Sequence, residues 1–146
     1  AAQANGGSLN GKIILDFGSG SGILGITAAK LGATVYCVEV DPMANENAAE
    51  NAALNGVGEQ VRISESIPDA LTGKVDVLLA NILRPVLLQF APKILSCLKP
   101  KSELILSGLI ESDLAQVIAA YTNAEADFSS VEKAEKGDWR SIYFKR

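Results

Sequence analysis

The residues best suited to hold a ligand are Asp16-Phe17-Gly18-Ser19-Gly20-Ser21-Gly22. An acid stands near the end of an apolar run, and three glycines follow at alternate positions. Glycine lets the backbone turn tightly and lets a ligand approach with no Cβ in the way. The apolar segment that follows, from Ile23, reads as a helix whose first N–H groups have no partner within the helix. A second acid, Glu39, ends another β-branched run in Val38-Glu39-Val40-Asp41-Pro42. In this position it is placed to accept hydrogen bonds from the two hydroxyls of a ribose. The loop and the two acids together predict a site for a nucleotide-like cofactor.

The elements that must position these residues alternate. Strands are predicted at Lys12–Phe17, Thr34–Val40, Gln60–Ser64, Val75–Ala80 and Glu103–Ser107. Helices are predicted at Gly22–Leu31, from Pro42 to about Leu54, from Pro85 to Leu98 and at Glu111–Thr122. Asp41 caps the second helix with Pro42 at its first position, and Asn55-Gly56 stops it. Lys99-Pro100 ends the third. Ala124–Val131 and Trp139–Phe144 read as two more strands, joined by a polar turn around Gly137. Strand–helix alternation predicts a doubly wound, mostly parallel α/β sheet. The last two strands have no helix between them and therefore close a seven-stranded sheet as an antiparallel hairpin. Residues 1–10 read as a linker or leader, and 11–146 as one domain.

Composition narrows the partners. The chain has 146 residues, is 48% hydrophobic and carries a net charge of −4. That is enough for one real core. The acidic balance argues against nucleic acid, which is bound by neutralising phosphates with Lys and Arg. No apolar run approaches the roughly 18 residues that span a bilayer, so no membrane role is expected. Cys37 and Cys97 lie in apolar contexts and read as buried free thiols. With no visible signal peptide, they point to a reducing, cytoplasmic setting. The chain contains no histidine, which removes the usual general base and leaves no His-rich metal site.

Two cofactors compete for the glycine loop. Gly20-Ser21-Gly22-Ile23-Leu24-Gly25 matches the dinucleotide pattern G-x-G-x-x-G, with Glu39 about 20 residues on. However, the strand ends before Gly18, not before Gly20. Counted from Gly18, the third position falls on Ile23, too large for close helix–strand packing. Asp16 followed by Gly-x-Gly-x-Gly instead resembles class I S-adenosylmethionine-dependent methyltransferases, whose Rossmann-like sheet also closes with an antiparallel hairpin. A carboxylate beside the loop suits a cationic cofactor, whereas a pyrophosphate would be repelled. This resemblance implies S-adenosyl-L-methionine as cofactor and S-adenosyl-L-homocysteine as product. It implies contacts from Asp16, Gly18, Ser19, Gly20, Gly22, Ile23, Glu39, Val40 and Asn81, with Ser66 and Ile67 at the adenine.

Longer stretches resemble one family. They include Leu15-Asp16-Phe17-Gly18-Ser19-Gly20-Ser21-Gly22-Ile23-Leu24, Glu39-Val40-Asp41-Pro42 and Glu50-Asn51-Ala52-Ala53-Leu54-Asn55-Gly56-Val57. Ala80-Asn81-Ile82-Leu83, Leu98-Lys99-Pro100, Leu106-Ser107-Gly108-Leu109-Ile110 and Gly137-Asp138-Trp139 continue the pattern. From about Gly11 onward the chain is similar to the methyltransferases that modify the eleventh large-subunit ribosomal protein. The resemblance implies N-methylation of a protein substrate, a ribosomal protein. Asn81, Ile82 and Leu83 then form the catalytic motif, and Asn81 orients the acceptor nitrogen. Related enzymes acting on planar groups carry Asn-Pro-Pro-aromatic here. Ile82-Leu83 lacks that stacking face and suits an aliphatic amine.

The amine must be neutral to attack. At pH 7 this costs about 4.6 kcal/mol for a lysine of pKa about 10.4 and about 1 kcal/mol for an α-amine near 7.8. The family's N-terminal recognition domain and its Gly-Thr-Gly loop have no counterpart before Lys12, and its Gly-Gly after Lys-Pro is Lys101-Ser102. Two alternatives therefore stand beside the protein methyltransferase. One is a cofactor-binding module inactive without a further domain or partner. The other is a methyltransferase acting on RNA or a small molecule.

Overall fold

The computed structural model describes residues 7–122 and 126–146. Seven strands, β1 (Ile13–Phe17), β2 (Thr34–Val38), β3 (Val61–Ser64), β4 (Val75–Asn81), β5 (Leu98–Leu109), β6 (Ser130–Lys136) and β7 (Trp139–Lys145), form one sheet in the order β3-β2-β1-β4-β5-β7-β6. Strands β1 to β5 pair in parallel, and β7 runs antiparallel between β5 and β6. The helices are α1 (Ile23–Lys30), α2 (Pro42–Leu54), α3 (Arg84–Cys97) and α4 (Leu114–Tyr121). This is the predicted doubly wound sheet with its closing hairpin.

Alternation along β1 sends its side chains to opposite faces. Ile14 joins Ile26, Ala28 and Ala29 of α1, Ala52 of α2, and Val35 and Cys37 of β2 in one apolar cluster. Leu15 and Phe17 join Leu87, Ala91 and Ile94 of α3 and Val117 and Tyr121 of α4 in the other. The sheet is thus covered on both faces, which explains why β4 reads as a near-continuous apolar run. The Tyr121 hydroxyl donates to the Leu87 carbonyl at 2.8 Å, tying α4 to α3. Asp41 caps α2 as expected, its Oδ1 accepting from the Met43 N–H at 2.9 Å. Both cysteines are buried and free, and no described helix is long and apolar enough to cross a membrane.

Several boundaries differ from the sequence expectation. Strand β2, expected to run to Val40, ends at Val38. Helix α3 ends at Cys97, and extended backbone begins at once, so Lys99-Pro100 belongs to β5. The β4–β5 register slips between the Val75–Leu98 and Val77–Glu103 pairs. Pro100 has no N–H for the ladder, and Lys101 beside it adopts a left-handed φ of 64°. Strand β6 is displaced from the expected 124–131 to Ser130–Lys136; residues 124 and 125 lie outside the described residues. Its sequence, Ser-Val-Glu-Lys-Ala-Glu-Lys, has no apolar alternation because it is an exposed edge strand. Backbone pairing with β7 holds it, from Ser130–Lys145 to Lys136–Trp139. Charged residues on such an edge also discourage pairing with another chain. Finally, the predicted fourth helix begins as a 3-10 turn, Glu111–Asp113, and becomes α-helical only at Leu114.

Candidate active site

The carboxyl ends of β1, β2 and β4 meet at the glycine loop. Gly18 turns with φ 75°, and the Gly18 and Ser19 N–H groups both donate to the Val38 carbonyl, at 2.8 and 3.2 Å. Gly20 N–H donates to Glu39 Oε2 at 3.1 Å, and Gly22 N–H to the Ser19 carbonyl at 2.9 Å. Gly22 is the residue before α1, with φ 80° and no side-chain cap. The Gly25 N–H, in the first turn of α1, donates to Asp16 Oδ2 at 2.9 Å. These donors are therefore directed to the Val38 carbonyl at the end of β2, to the Ser19 carbonyl within the loop and to two carboxylates. A pyrophosphate cradle needs such N–H groups directed at the phosphates, with no acid beneath them. Gly25, the last glycine of the dinucleotide-like match, has a packing reason: a Cβ there would lie 2.6 Å from Cys37 Sγ and 3.0 Å from Val35 Cγ1.

Asp16 is only 2% exposed. Burial pushes its carboxyl up to about 6; the Gly25 N–H opposes the shift and the Glu39 charge adds to it. The Cys37 thiol, beneath the same turn, is pushed up to about 12 by burial and by the Asp16 charge. Glu39 sits at the surface end of this group. Its Oε1 accepts from the Val40 and Asp41 N–H groups at 2.8 and 3.1 Å while Oε2 holds Gly20. Three backbone donors fix one carboxylate at the mouth of the loop. The Ser19 hydroxyl is buried beside the Cys37 thiol and opposes the upward shift of that thiol. The local field is negative around the loop, an environment that attracts a cation.

Two clefts lie side by side on this edge. The first, about 450 Å³, is lined by Phe17, Gly18, Val38, Glu39, Val40, Glu65, Ser66, Ile67, Asp69, Ile82, Val86, Phe90 and Lys93. The second, about 430 Å³, is lined by Asn81, Ile82, Leu83, Ser107, Gly108 and Trp139. Of the sequence-predicted residues, Gly18, Glu39, Val40, Ser66, Ile67 and Ile82 come together in the first. Asn81, Ile82 and Leu83 come together in the second, so Asn81 stands in that cleft and not among the first cleft's lining. Asp16, Ser19, Gly20 and Gly22 build the loop and its support. Ile23 points elsewhere: its side chain is 69% exposed and lines a depression with Ser21, Asn51 and Asn55, leaving its position at the start of α1 as its link to the site.

Several lining residues escaped the sequence reading. Val86, Phe90 and Lys93 follow helical spacing on one face of α3, next to the core face of Leu87, Ala91 and Ile94. The period was legible, but not which flank of the stripe borders a cleft. Phe90 packs on Phe17 with ring centroids 5.1 Å apart, and Lys93 Nζ pairs with Asp69 Oδ1 at 2.6 Å, holding that carboxyl below its usual range. Gly108 has φ 78°, and a Cβ there would lie 2.9 Å from Asn81 Oδ1. Trp139, 61% exposed, reaches the second cleft from β7, 58 positions along the chain from Asn81. The absence of an aromatic in Ile82-Leu83 therefore does not leave this cleft without one.

Comparison with known proteins agrees with this arrangement. The sequence profile of the ribosomal protein L11 methyltransferase (PrmA) family matches residues 5–146. The chain is 40% identical over 135 residues to the ribosomal protein L11 methyltransferase of Heliobacterium modesticaldum, covering 91% of this chain and 42% of that protein. It is 39% identical to the Bacillus pumilus enzyme of the same name over 135 residues, with 91% and 43% covered. It thus spans less than half the length of these relatives. The crystal structure of the ribosomal protein L11 methylase from Lactobacillus delbrueckii superposes with a TM-score of 0.82 at 33% identity, covering 94% of this chain and 71% of that one. A Salinibacter ruber RNA methyltransferase in complex with S-adenosyl-L-homocysteine shares the fold, with a TM-score of 0.68 at 18% identity and 92% and 80% covered. On its glycine loop, its two acids, its sheet order and these matches, the chain belongs to the ribosomal protein L11 methyltransferase family.

Proposed function

We propose that this chain binds S-adenosyl-L-methionine in the Glu39 cleft and methylates an amino group of a protein substrate, a ribosomal protein, presented in the Asn81 cleft. The observation that carries the reading is the pairing of two clefts across Ile82, one edged by acids and the other by an amide. The donor inventory of the loop favours a cationic cofactor over a pyrophosphate.

When bound, the cofactor supplies a methyl group already activated by a sulfonium, so the protein's contribution is alignment and exclusion of water. With three backbone donors in place, Glu39 keeps one acceptor site, on Oε2, for a ribose hydroxyl, and a second hydroxyl is accepted where one of those donors gives way. Val40, Ile67 and Phe90 offer apolar walls for a base, with the polar Ser66 beside them. Asp16 holds α1 in place and sets a negative potential beneath the loop. Asn81 Oδ1 accepts a hydrogen bond from an amine N–H and so turns the nitrogen lone pair away from itself. The indole of Trp139 presents a π face to an approaching ammonium, an attraction of about 0.5–1 kcal/mol at exposed sites.

The same indole also favours a second reading, in which a planar acceptor stacks on it. The net charge of −4 weighs against RNA as that acceptor. Calorimetry with S-adenosyl-L-homocysteine and with NAD tests the cofactor: binding of NAD alone overturns the proposal. Transfer of labelled methyl from S-adenosyl-L-methionine to purified ribosomal proteins, against tRNA as the competing substrate, tests the acceptor. Labelling of tRNA alone selects the planar reading.

A further inference from the structure

Among the described residues, Ile82 is the one that lines both clefts. It follows β4, the strand flanked in the sheet by β1 and β5. A glycine in the left-handed region stands on either side: Gly18, with φ 75°, after β1, and Gly108, with φ 78°, within β5. The contacts are unequal. At Gly18 a Cβ would run into Ile82 Cγ2, so the side chain of Ile82 leans over that glycine. At Gly108 a Cβ would lie 3.1 Å from the Ile82 carbonyl oxygen and 3.2 Å from its nitrogen. The backbone of Ile82 is thus held from the acceptor side and its side chain projects to the cofactor side. Ile82 is half-buried and packs on the larger apolar cluster.

From this geometry we infer that the Ile82 side chain is a partition between the cofactor and acceptor clefts, and that its volume sets how bulky the amine-bearing group can be. The inference rests on the two-cleft reading above. Ile82 acts here as a positioning and specificity residue. An aliphatic wall cannot hydrogen-bond the acceptor, so it selects by size. Gly18 acts through it, because a side chain there would displace the Ile82 side chain, whereas a side chain at Gly108 would press on Asn81 Oδ1 and the Ile82 backbone. One methylene in an apolar pocket is worth roughly tenfold or more in discrimination.

The test uses the chain as it stands, with Ile82→Val and Ile82→Ala variants. Melting curves check folding, and Ile82→Val is the fallback if the larger truncation unfolds. The first readout is Trp139, the chain's single tryptophan, which lines only the acceptor cleft. During titration with S-adenosyl-L-homocysteine the wild type should bind by calorimetry with little movement of the Trp139 emission maximum. Both variants should bind and shift that emission, Ile82→Ala more than Ile82→Val. The second readout is methyl transfer to a lysine peptide and to its Nε-dimethyl form. The variants should change the ratio of kcat/KM between the two acceptors roughly tenfold in favour of the bulkier one. If S-adenosyl-L-homocysteine binds and neither Trp139 emission nor the acceptor ratio depends on residue 82, the partition is refuted while the cofactor reading survives. If it does not bind the wild type, both fall. A chain that binds but does not turn over is decided by Trp139 alone.

Discussion

Asp16→Asn should make the protein more stable at neutral pH while weakening cofactor binding. The Asp16 carboxyl is pushed from 3.8 to about 6 in the folded state, chiefly by burial. Below pH 3.8 it is protonated whether the chain is folded or not, and contributes no pH dependence. Between pH 3.8 and about 6 the unfolded chain ionises while the folded one keeps its proton, so folding is progressively penalised as pH rises. Above about 6 the penalty is constant. A displacement of about two pKa units corresponds to about 3 kcal/mol at 1.36 kcal/mol per unit. Asparagine keeps an acceptor for the Gly25 N–H and has no charge to bury.

Whatever the amide costs or gains in packing, the stability difference between variant and wild type should climb by about 3 kcal/mol in the variant's favour from about pH 3.5 to pH 7. Urea unfolding followed by far-ultraviolet circular dichroism at a series of pH values measures it. The exposed Trp139 is a poor reporter of the core. A difference that stays flat within about 1 kcal/mol, or that falls with pH, refutes the claim that this carboxylate is held at an energetic cost. Loss of affinity for S-adenosyl-L-methionine in the same variant would give that cost a function.

Other outcomes follow from the site. Glu39→Ala removes the acceptor of the Gly20, Val40 and Asp41 N–H groups. At about 1.5–3 kcal/mol per hydrogen bond to a charged group, calorimetry should show S-adenosyl-L-homocysteine affinity falling roughly tenfold to a hundredfold; unchanged affinity contradicts the ribose role. Asn81→Ala should lower kcat in a methyl-transfer assay with cofactor affinity nearly intact, and a tenfold affinity loss would move Asn81 to the cofactor side. Lys101→Gly relieves a left-handed lysine, worth about 1–2 kcal/mol of strain less the entropy cost of glycine. A rise of roughly 0.5–1 kcal/mol in unfolding free energy is expected, and destabilisation would mean the Lys101 side chain matters at that turn.

Much of the fold was legible because strand and helix periods differ and the punctuation was strong. Asp41-Pro42 and Asn55-Gly56 bound α2 where expected, and Val75–Ala80 announced a central strand by being apolar on both faces. Strand β6 was misplaced because an exposed edge strand carries no alternation; its backbone partners define it. The end of α3 was misplaced because Lys99-Pro100 is compatible with either a helix stop or an irregular strand. Only pairing with β4 distinguishes them.

For the site, the local sequence determined what lies within one strand–turn–helix. Asp16, the glycines, Glu39 and the Asn81 motif are each continuous signals, since a loop's chemistry depends on neighbours in the chain. The tertiary structure decided which of them face a common space. It turned Ile23 outward, brought Trp139 and Gly108 to Asn81, set Phe90 and Lys93 along the first cleft, and placed Ile82 between the two clefts. These are contacts between segments tens of residues apart, created when the parallel sheet aligns the carboxyl ends of its strands. No period or spacing encodes such contacts, because their distances are set by packing across the sheet.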